Sequence, residues 1–363
     1  MKRKIKVCYV LSYMAPNYVR TASLVQSLKF LSNVELFEAR NTRKGLIRYI
    51  ETFVKFVKIR FKENPDIYII GFRGHEIYWF LRIFALKKVF IFDEMMSPAD
   101  SLLNERKSLG RVAGGLIDCV ERGLLKNADY ILTDTKLHKG FFHRNFGLDK
   151  DKIGVIPVGT DEQLFNLERY KDKERGENDN FIVFFYGTFL PLHGINIIVQ
   201  AAKLVEEFPI EFILVGGRGK EEALKEFRKE MKEGQMRNIE HYEWLEFKKL
   251  PTYIKNADLC LGGPFGGTAQ AKRVVTGKTY QFLAMGKPTV IGKIEEDFGF
   301  RDRKNCLLVE QRKPKELADA ILWAYHNKGF LSEIGENGRK LYFKNFSNES
   351  NSHILKEILE KLA

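Results

Sequence analysis

Two hydrophobic rhythms alternate along most of this chain. Short apolar runs rich in β-branched and aromatic residues occur at Lys6 to Leu11, Ile67 to Ile70, Val89 to Phe92, Tyr130 to Thr133 and Ile153 to Ile156. Runs with so few polar positions predict strands of a sheet buried on both faces. Between them, apolar residues at helical spacing predict helices over Ala22 to Leu31, Leu46 to Lys62, Leu116 to Lys126 and Lys136 to Asn145. Regular succession of strand and helix predicts a parallel sheet with crossover connections.

The rhythm breaks at Arg169 to Asn180, RYKDKERGENDN, where Tyr170 is the one apolar residue, and this predicts a surface linker. A second series follows. Strands are expected at Phe181 to Tyr186, Glu211 to Val215, Ile239 to Tyr242, Leu259 to Leu261, Thr289 to Ile291 and Leu307 to Val309. Helices are expected near Ile195 to Glu207, Lys220 to Lys232, Lys249 to Asn256, Lys278 to Met285 and Pro314 to His326. A chain of 363 residues also exceeds one ordinary core. The expected fold class is therefore α/β, with two doubly wound domains at 1–168 and 169–345 and a terminal helix over 346–363. Ligands of open parallel sheets bind beyond the carboxyl ends of the strands, so a central cleft faced by both domains is the expected site.

Composition narrows the class. Hydrophobic content of 44% suits a globular protein. No run of about 18 uncharged apolar residues is present, and the apolar run after Met1-Lys2-Arg3-Lys4 lacks the small-residue cleavage site of a signal sequence. The expected location is cytoplasmic. Cys8, Cys119, Cys260 and Cys306 form no C-x-x-C pair and fall in expected strands or a helix, which predicts reduced core residues and no structural metal. The net charge of +13 is uneven: residues 1–150 hold 27 Lys/Arg against 15 Asp/Glu, and the remainder 33 against 32. The first domain carries almost all of the surplus.

The most informative stretch runs from Phe265-Gly266-Gly267-Thr268 through Arg273 to Thr289, RVVTGKTYQFLAMGKPT. A buried strand at Leu259 to Leu261 enters a glycine turn. A helix follows and ends at Met285-Gly286-Lys287-Pro288, where glycine closes it and proline forbids continuation. A strand, a glycine-rich loop and a helix N-terminus together present backbone N–H groups to an anion. Arg273 and Lys278 add two cations suited to a diphosphate. The same residues also suit a well-capped helix with two solvated cations.

Together with Thr133-Asp134-Thr135 and His138, Ile156-Pro157-Val158-Gly159-Thr160-Asp161 and Phe165, Tyr186 to Gly194 (YGTFLPLHG) and Val215-Gly216-Gly217, this stretch resembles the nucleotide-sugar-dependent glycosyltransferases of the GT-B fold, family 4 (group 1). The order and spacing of the pieces carry the resemblance, which runs through most of the chain. It implies two Rossmann-like domains, the first binding an acceptor and the second a nucleoside-diphosphate sugar, with the C-terminal helix crossing back to the first. It also implies a retaining transfer in which the departing diphosphate assists deprotonation of the acceptor, so that no protein dyad is required.

Two departures from the family are visible. The carboxylate pair separated by seven residues falls on Arg273 and Gln281. Gln281 can still accept from a ribose hydroxyl, whereas Arg273 reverses the charge. The arginine and lysine that many members place near the first glycine loop are replaced by Thr188 and His193. The donor site implied is Arg273 and Lys278 with the backbone of Gly187, Gly266, Gly267 and Thr268, with Gln281 on the ribose and Arg218 as a further phosphate candidate. His193 is a candidate catalytic residue. Asp93 and Glu94, just after a strand end, are candidates to orient or deprotonate an acceptor hydroxyl, or equally a loop or cap carboxylate. His138 and Trp244 are weaker candidates, each with an ordinary structural alternative.

The donor expected is a UDP- or GDP-sugar, with no cofactor and no metal. The acceptor expected is a glycan or a lipid-linked molecule. Gly45 to Lys62 sets Leu46, Ile50, Phe53, Val54, Val57 and Phe61 on one helical face and Arg48, Lys55, Lys58 and Lys62 away from it. That pattern suits either a domain helix or contact with the anionic inner face of a membrane. No nucleic-acid recognition motif accompanies the basic surface, so nucleic acid is not expected. A nucleotide-sugar epimerase or phosphorylase, and a catalytically silent subunit that binds nucleotide sugar, are the rival readings.

Overall fold

The computed structural model describes residues 3–16, 18–102, 111–170 and 180–363. It divides into two units, Met1–Gly159 with Ser347–Ala363, and Thr160–Phe346.

The first unit runs β1 (Ile5–Leu11), α1 (Val19–Lys29), β2 (Val34–Arg40), α2 (Ile47–Lys62), β3 (Ile67–Ile70), α3 (Tyr78–Phe84), β4 (Val89–Asp93), α4 (Pro98–Asp100), α5 (Arg111–Asn127), β5 (Tyr130–Thr133), α6 (Lys136–Phe146) and β6 (Ile153–Val155). Its six strands are parallel in the order β2-β1-β3-β4-β5-β6. Successive side chains of β1 enter opposite cores, as the strand period of two requires. Cys8 and Val10 join Phe56, Tyr78, Leu81, Leu124 and Phe142 beneath α2, α3, α5 and α6. Val7, Tyr9 and Leu11 join Leu24, Leu28, Leu355 and Leu359 on the other face. The last two belong to α13 (Asn348–Leu362), which packs against α1.

The second unit runs β7 (Phe181–Gly187), α7 (Ile195–Leu204), β8 (Ile210–Gly216), α8 (Glu221–Glu233), β9 (Ile239–Tyr242), α9 (Leu250–Asn256), β10 (Leu259–Leu261), α10 (Gly277–Ala284), β11 (Thr289–Gly292), β12 (Leu307–Val309), α11 (Pro314–His326) and α12 (Lys328–Asn345). The parallel order β12-β11-β10-β7-β8-β9 reverses direction between β7 and β10. Residues 160–168, assigned by sequence to the first domain, sit with this unit because Phe165 is buried against Phe184, Leu250 and Phe282. The expected linker falls mostly outside the described residues, at 171–179.

Three further expectations need correction. Val34–Arg40 is a strand that the sequence reading did not assign; it lies at the sheet edge, where polar positions interrupt the apolar run. The short helix α3 was also not anticipated. Cys119 is exposed on α5 and does not join a core, whereas Cys8, Cys260 and Cys306 are buried and their thiols are pushed up to about 12 by burial. Among the described residues no helix is long and apolar enough to cross a membrane.

At the switch between β7 and β10 the loops that follow the two strands are pressed together. Gly266 donates its N–H to the Leu192 carbonyl at 3.1 Å. A Cβ at Gly266 would lie 1.8 Å from the Pro191 oxygen. Gly194 adopts φ +64° at the start of α7, and a Cβ there would meet the Gly266 nitrogen at 2.7 Å. Gly266→Ala is therefore expected to destabilise the fold by roughly 2–3 kcal/mol. A denaturant melt checks this, and an unchanged midpoint would refute the close approach.

Candidate functional site

Strand ends position the candidate groups of the second unit. Phe185, fully buried on β7, is flanked by both loops of the switch point: the Lys278 ammonium lies 5.0 Å from its ring centroid, and the His193 ring centroid lies 6.2 Å away edge-on. His193 closes the short turn Pro191–His193, where its N–H donates to the Leu190 carbonyl, and its Nδ1 faces Gly187 so closely that a side chain there would collide. Lys278 stands in the first turn of α10, a helix whose start is fixed by Thr276, which donates to the Gly262 carbonyl at 2.6 Å and lies 3.0 Å from the Thr279 hydroxyl.

This cluster lacks compensation. Lys278 is 5% exposed, and among the described residues its ammonium has neither a hydrogen-bond acceptor nor a carboxylate. Burial lowers its pKa from 10.5 to about 7. Burial, and then the nearby Lys278 charge, also hold His193 well below the ordinary histidine value. Imidazole is thus the neutral form at physiological pH, and His193 Nδ1 is buried without a partner. Gln281, on the next turn of α10, is buried with its Oε1 unpartnered. Buried polar groups are ordinarily satisfied, so three such groups around neighbouring strand ends point to a polar ligand, and perturbed pKa values cluster at functional sites.

The other expected donor residues divide. Gly187 ends β7 opposite Gly216 of β8. Thr188 is exposed just beyond. Thr268 accepts from the Ala271 N–H at 3.1 Å, shaping the loop. The Gly266 N–H, expected to face an anion, is consumed by Leu192. Arg273 Nε donates back to the Ala269 carbonyl at 3.1 Å. Arg218 is exposed and lies over the Trp244 ring at 5.2 Å, so Trp244 is half-exposed beside a cation and not a core residue. The sequence reading missed Arg312, whose stem lies across Gly267 and whose N–H holds the Phe265 carbonyl at 2.9 Å. A cation three residues beyond the end of β12 was the available signal.

In the first unit the strand ends carry a different arrangement. Asp93 is fully buried in an ion pair with Arg20 of α1, whose guanidinium reaches it at 2.8 Å and also donates to the Ile156 and Pro157 carbonyls. Burial disfavours that guanidinium's charge, and Asp93 outweighs it, so the Arg20 pKa lies above the ordinary value. Asp93, expected to face an acceptor, is thus enclosed as a structural partner. Glu94 is also fully buried, and His75 Nε2 approaches its Oε2 at 2.7 Å, an ion-pair distance without hydrogen-bond alignment. Burial lowers the His75 pKa and Glu94 more than reverses this. Glu121 stands behind, accepting from Ser97 Oγ and the Ala99 N–H, and burial followed by the Glu94 charge raises its pKa to about 7. His138 is buried, its Nδ1 2.5 Å from Asp134, and its N–H caps onto Thr135. Among the described residues no group of three or more His, Cys, Asp or Glu could hold a metal ion.

A family model described as glycosyl transferases group 1 matches residues 180–327. An uncharacterized glycosyltransferase of Methanocaldococcus jannaschii, MJ1069, is 26% identical over 244 residues, which is 66% of this chain and 60% of that protein. The aligned part thus spans less than two thirds of that relative. Among solved structures, Anabaena Alr3699/HepE in complex with UDP-glucose superposes with a TM-score of 0.73 at 13% identity, covering 98% of this chain and 99% of that one. Sucrose-phosphate synthase from Thermosynechococcus elongatus gives 0.72 at 15% identity, covering 99% of each. Two parallel six-stranded sheets in this arrangement are the GT-B fold.

The buried lysine has a measurable signature without ligand. Between pH 7 and 10.5 the unfolded lysine holds its proton and the folded one does not, so stability rises with pH across that window. Lys278→Met is expected to be more stable than the parent at pH 7 by on the order of a few kcal/mol and to lose that rise. Urea melts across pH check both. Asp93→Asn, which strands a buried guanidinium, is expected to cost roughly 3–5 kcal/mol in the same assay.

Proposed function

We propose that this chain, which has the GT-B fold, is a group 1 glycosyltransferase whose second unit binds a nucleoside-diphosphate sugar. The protein then transfers the sugar to a glycan or lipid-linked acceptor held by the first unit. The observation that carries this reading is the Lys278 amine, buried near neutral His193 with no carboxylate to balance its charge, and with unpartnered Gln281 one turn further along α10. A diphosphate would supply the missing charge, and a ribose hydroxyl would satisfy the amide. That the Anabaena relative was solved with UDP-glucose supports a UDP-sugar as the donor.

Each residue then has a task. Lys278 neutralises charge on the departing diphosphate, where a preorganised cation in a dry site acts most strongly. His193, neutral, donates a hydrogen bond to a phosphate oxygen, and Arg312, whose stem lies across Gly267, is a further cation at the glycine turn. The transfer is read as retaining and independent of metal. The bond from the anomeric carbon to phosphate breaks with its electron pair going to the diphosphate. The acceptor oxygen bonds on the same face, and its proton passes to a phosphate oxygen. In the first unit, His75 and Glu94 are read as the pair that orients the acceptor hydroxyl, with Glu94 fixing the ring through Nε2. The proposed setting is the cytoplasmic face of a membrane, where a lipid-linked acceptor would be presented.

Thermal stabilisation across UDP-, GDP-, CMP- and ADP-sugars tests the donor reading. One nucleotide is expected to raise the melting temperature, and Lys278→Ala to abolish the rise. If none does, the donor reading is wrong. Because diphosphate favours the protonated lysine, binding takes up a proton above pH 7, so affinity by calorimetry should fall up to tenfold per pH unit there. His193→Ala should lower turnover without unfolding the protein, and turnover equal to the parent's would remove His193 from the site.

A further inference from the structure

We propose that the outer surface of α2, α3 and α5 is a docking face for an anionic lipid bilayer. The inner sides of these helices fill one core of the first unit, with Phe56, Tyr78, Leu81 and Leu124 buried beneath the sheet. A helix in that position ordinarily turns a polar side outward. Here the outer sides are apolar as well: on α2 Ile50 is 66% exposed and Phe61 72%, on α3 Phe80 and Ile83 are each 64%, and on α5 Leu116 is 66%.

These side chains belong to one continuous layer. The rings of Phe53 and Phe84 meet edge-on at 5.1 Å, and Arg60 Nε donates to the Phe84 carbonyl at 3.2 Å, fastening α2 to α3. Trp79 of α3 stands over Gly123 of α5, where an added Cβ would lie 3.9 Å from its ring. Most of the exposed large apolar side chains among the described residues lie in this layer or at its ends. Contiguous apolar surface of this extent marks an interaction site, whereas scattered single residues need no explanation.

Charge selects the occupant. Arg43, Lys44, Lys58, Lys62 and Lys87 are exposed around the layer. The one acid within α2, Glu51, is engaged by Thr42, Arg43 and Lys55. Residues 1–150 carry 27 basic against 15 acidic side chains, and of the five cations named here Lys62 meets Glu63 at 3.4 Å. Aromatic and aliphatic groups along an α2 about 24 Å long, ringed by lysines, match the boundary between acyl chains and anionic headgroups. The proposal rests on the function above for its purpose, presenting a lipid-linked acceptor to the first unit, but its geometry does not depend on the donor site.

Flotation with vesicles of phosphatidylcholine alone, and of phosphatidylcholine mixed with phosphatidylglycerol, tests it. The parent protein is expected to float with the anionic vesicles at low salt and to be released in part by high salt. Ile50→Ser with Phe80→Ser and Ile83→Ser, all exposed, should weaken partitioning at least tenfold; Lys58→Glu with Lys87→Glu should abolish its salt dependence. Both variants should keep the stabilisation by nucleotide sugar, so that failure of the donor reading is told apart from failure of this one. No flotation at low salt, or equal flotation of the serine variant, would overturn the proposal. So would a parent that sediments as a dimer whose serine variant is monomeric while flotation is unchanged, since the face would then be covered by a second copy.

Discussion

A lysine held in an apolar site without a counter-charge, its pKa lowered by burial to about 7, is the constraint on which the second unit's chemistry depends. Ordinary cores avoid it, because burying an unpaired charge costs far more than any single contact returns. The fold holds Lys278 there by means that are geometrically rigid: α10 begins at a fixed point set by Thr276, and the loop before it is clamped to the loop after β7 through Gly266 and the Leu192 carbonyl. The strand order makes this arrangement available, since β7 and β10 are neighbours whose connections leave in opposite directions.

The first unit treats its charges in the opposite way. Arg20 and Asp93 are each fully buried, yet each satisfies the other, and the remaining donors of the guanidinium are spent on the Ile156 and Pro157 carbonyls. That arrangement ties α1, β4 and the segment after β6 into one block. Beside it, Glu94 and His75 meet at ion-pair distance without hydrogen-bond alignment, while Glu121 accepts from Ser97 and the Ala99 N–H. Two neighbouring residues of one strand end, Asp93 and Glu94, thus differ in kind: one is locked by a full set of donors and the other faces a single imidazole.

Much of this was legible in the residues. Period-two and helical patterning found the buried parallel strands and the helices flanking them, because strands buried on both faces read as uninterrupted apolar runs. The same logic failed for β2, an edge strand with Glu35 and Glu38 in its run, and for α3, whose seven residues carry too little periodicity to be recognised. Lys278 was visible as a candidate from the glycine turn and the helix that follows, and Gln281 and His193 from the family resemblance. What the sequence could not show was partnership. Gly266 looked like a free donor but serves a backbone carbonyl, Asp93 looked acceptor-directed but has Arg20, and Arg218 looked phosphate-directed but covers Trp244. Each of those pairings joins residues from separate elements, and pairwise proximity leaves no trace in local spacing.

One feature of the first unit bears on how the chain comes to be folded. Leu355, Ile358 and Leu359 of α13 complete the core formed by Val7, Tyr9, Leu11 and Leu24, and Asn348 and Asn351 bond to Ser23, Gln26 and the Pro157 carbonyl. During synthesis the whole of the second unit emerges before this helix does. The second unit, contiguous in sequence, can close on its own, while the older half of the chain waits on the ribosome with one side of its sheet only partly covered, by α1. The part made first is therefore the part finished last, and it is the half that must be sheltered from aggregation in the interval.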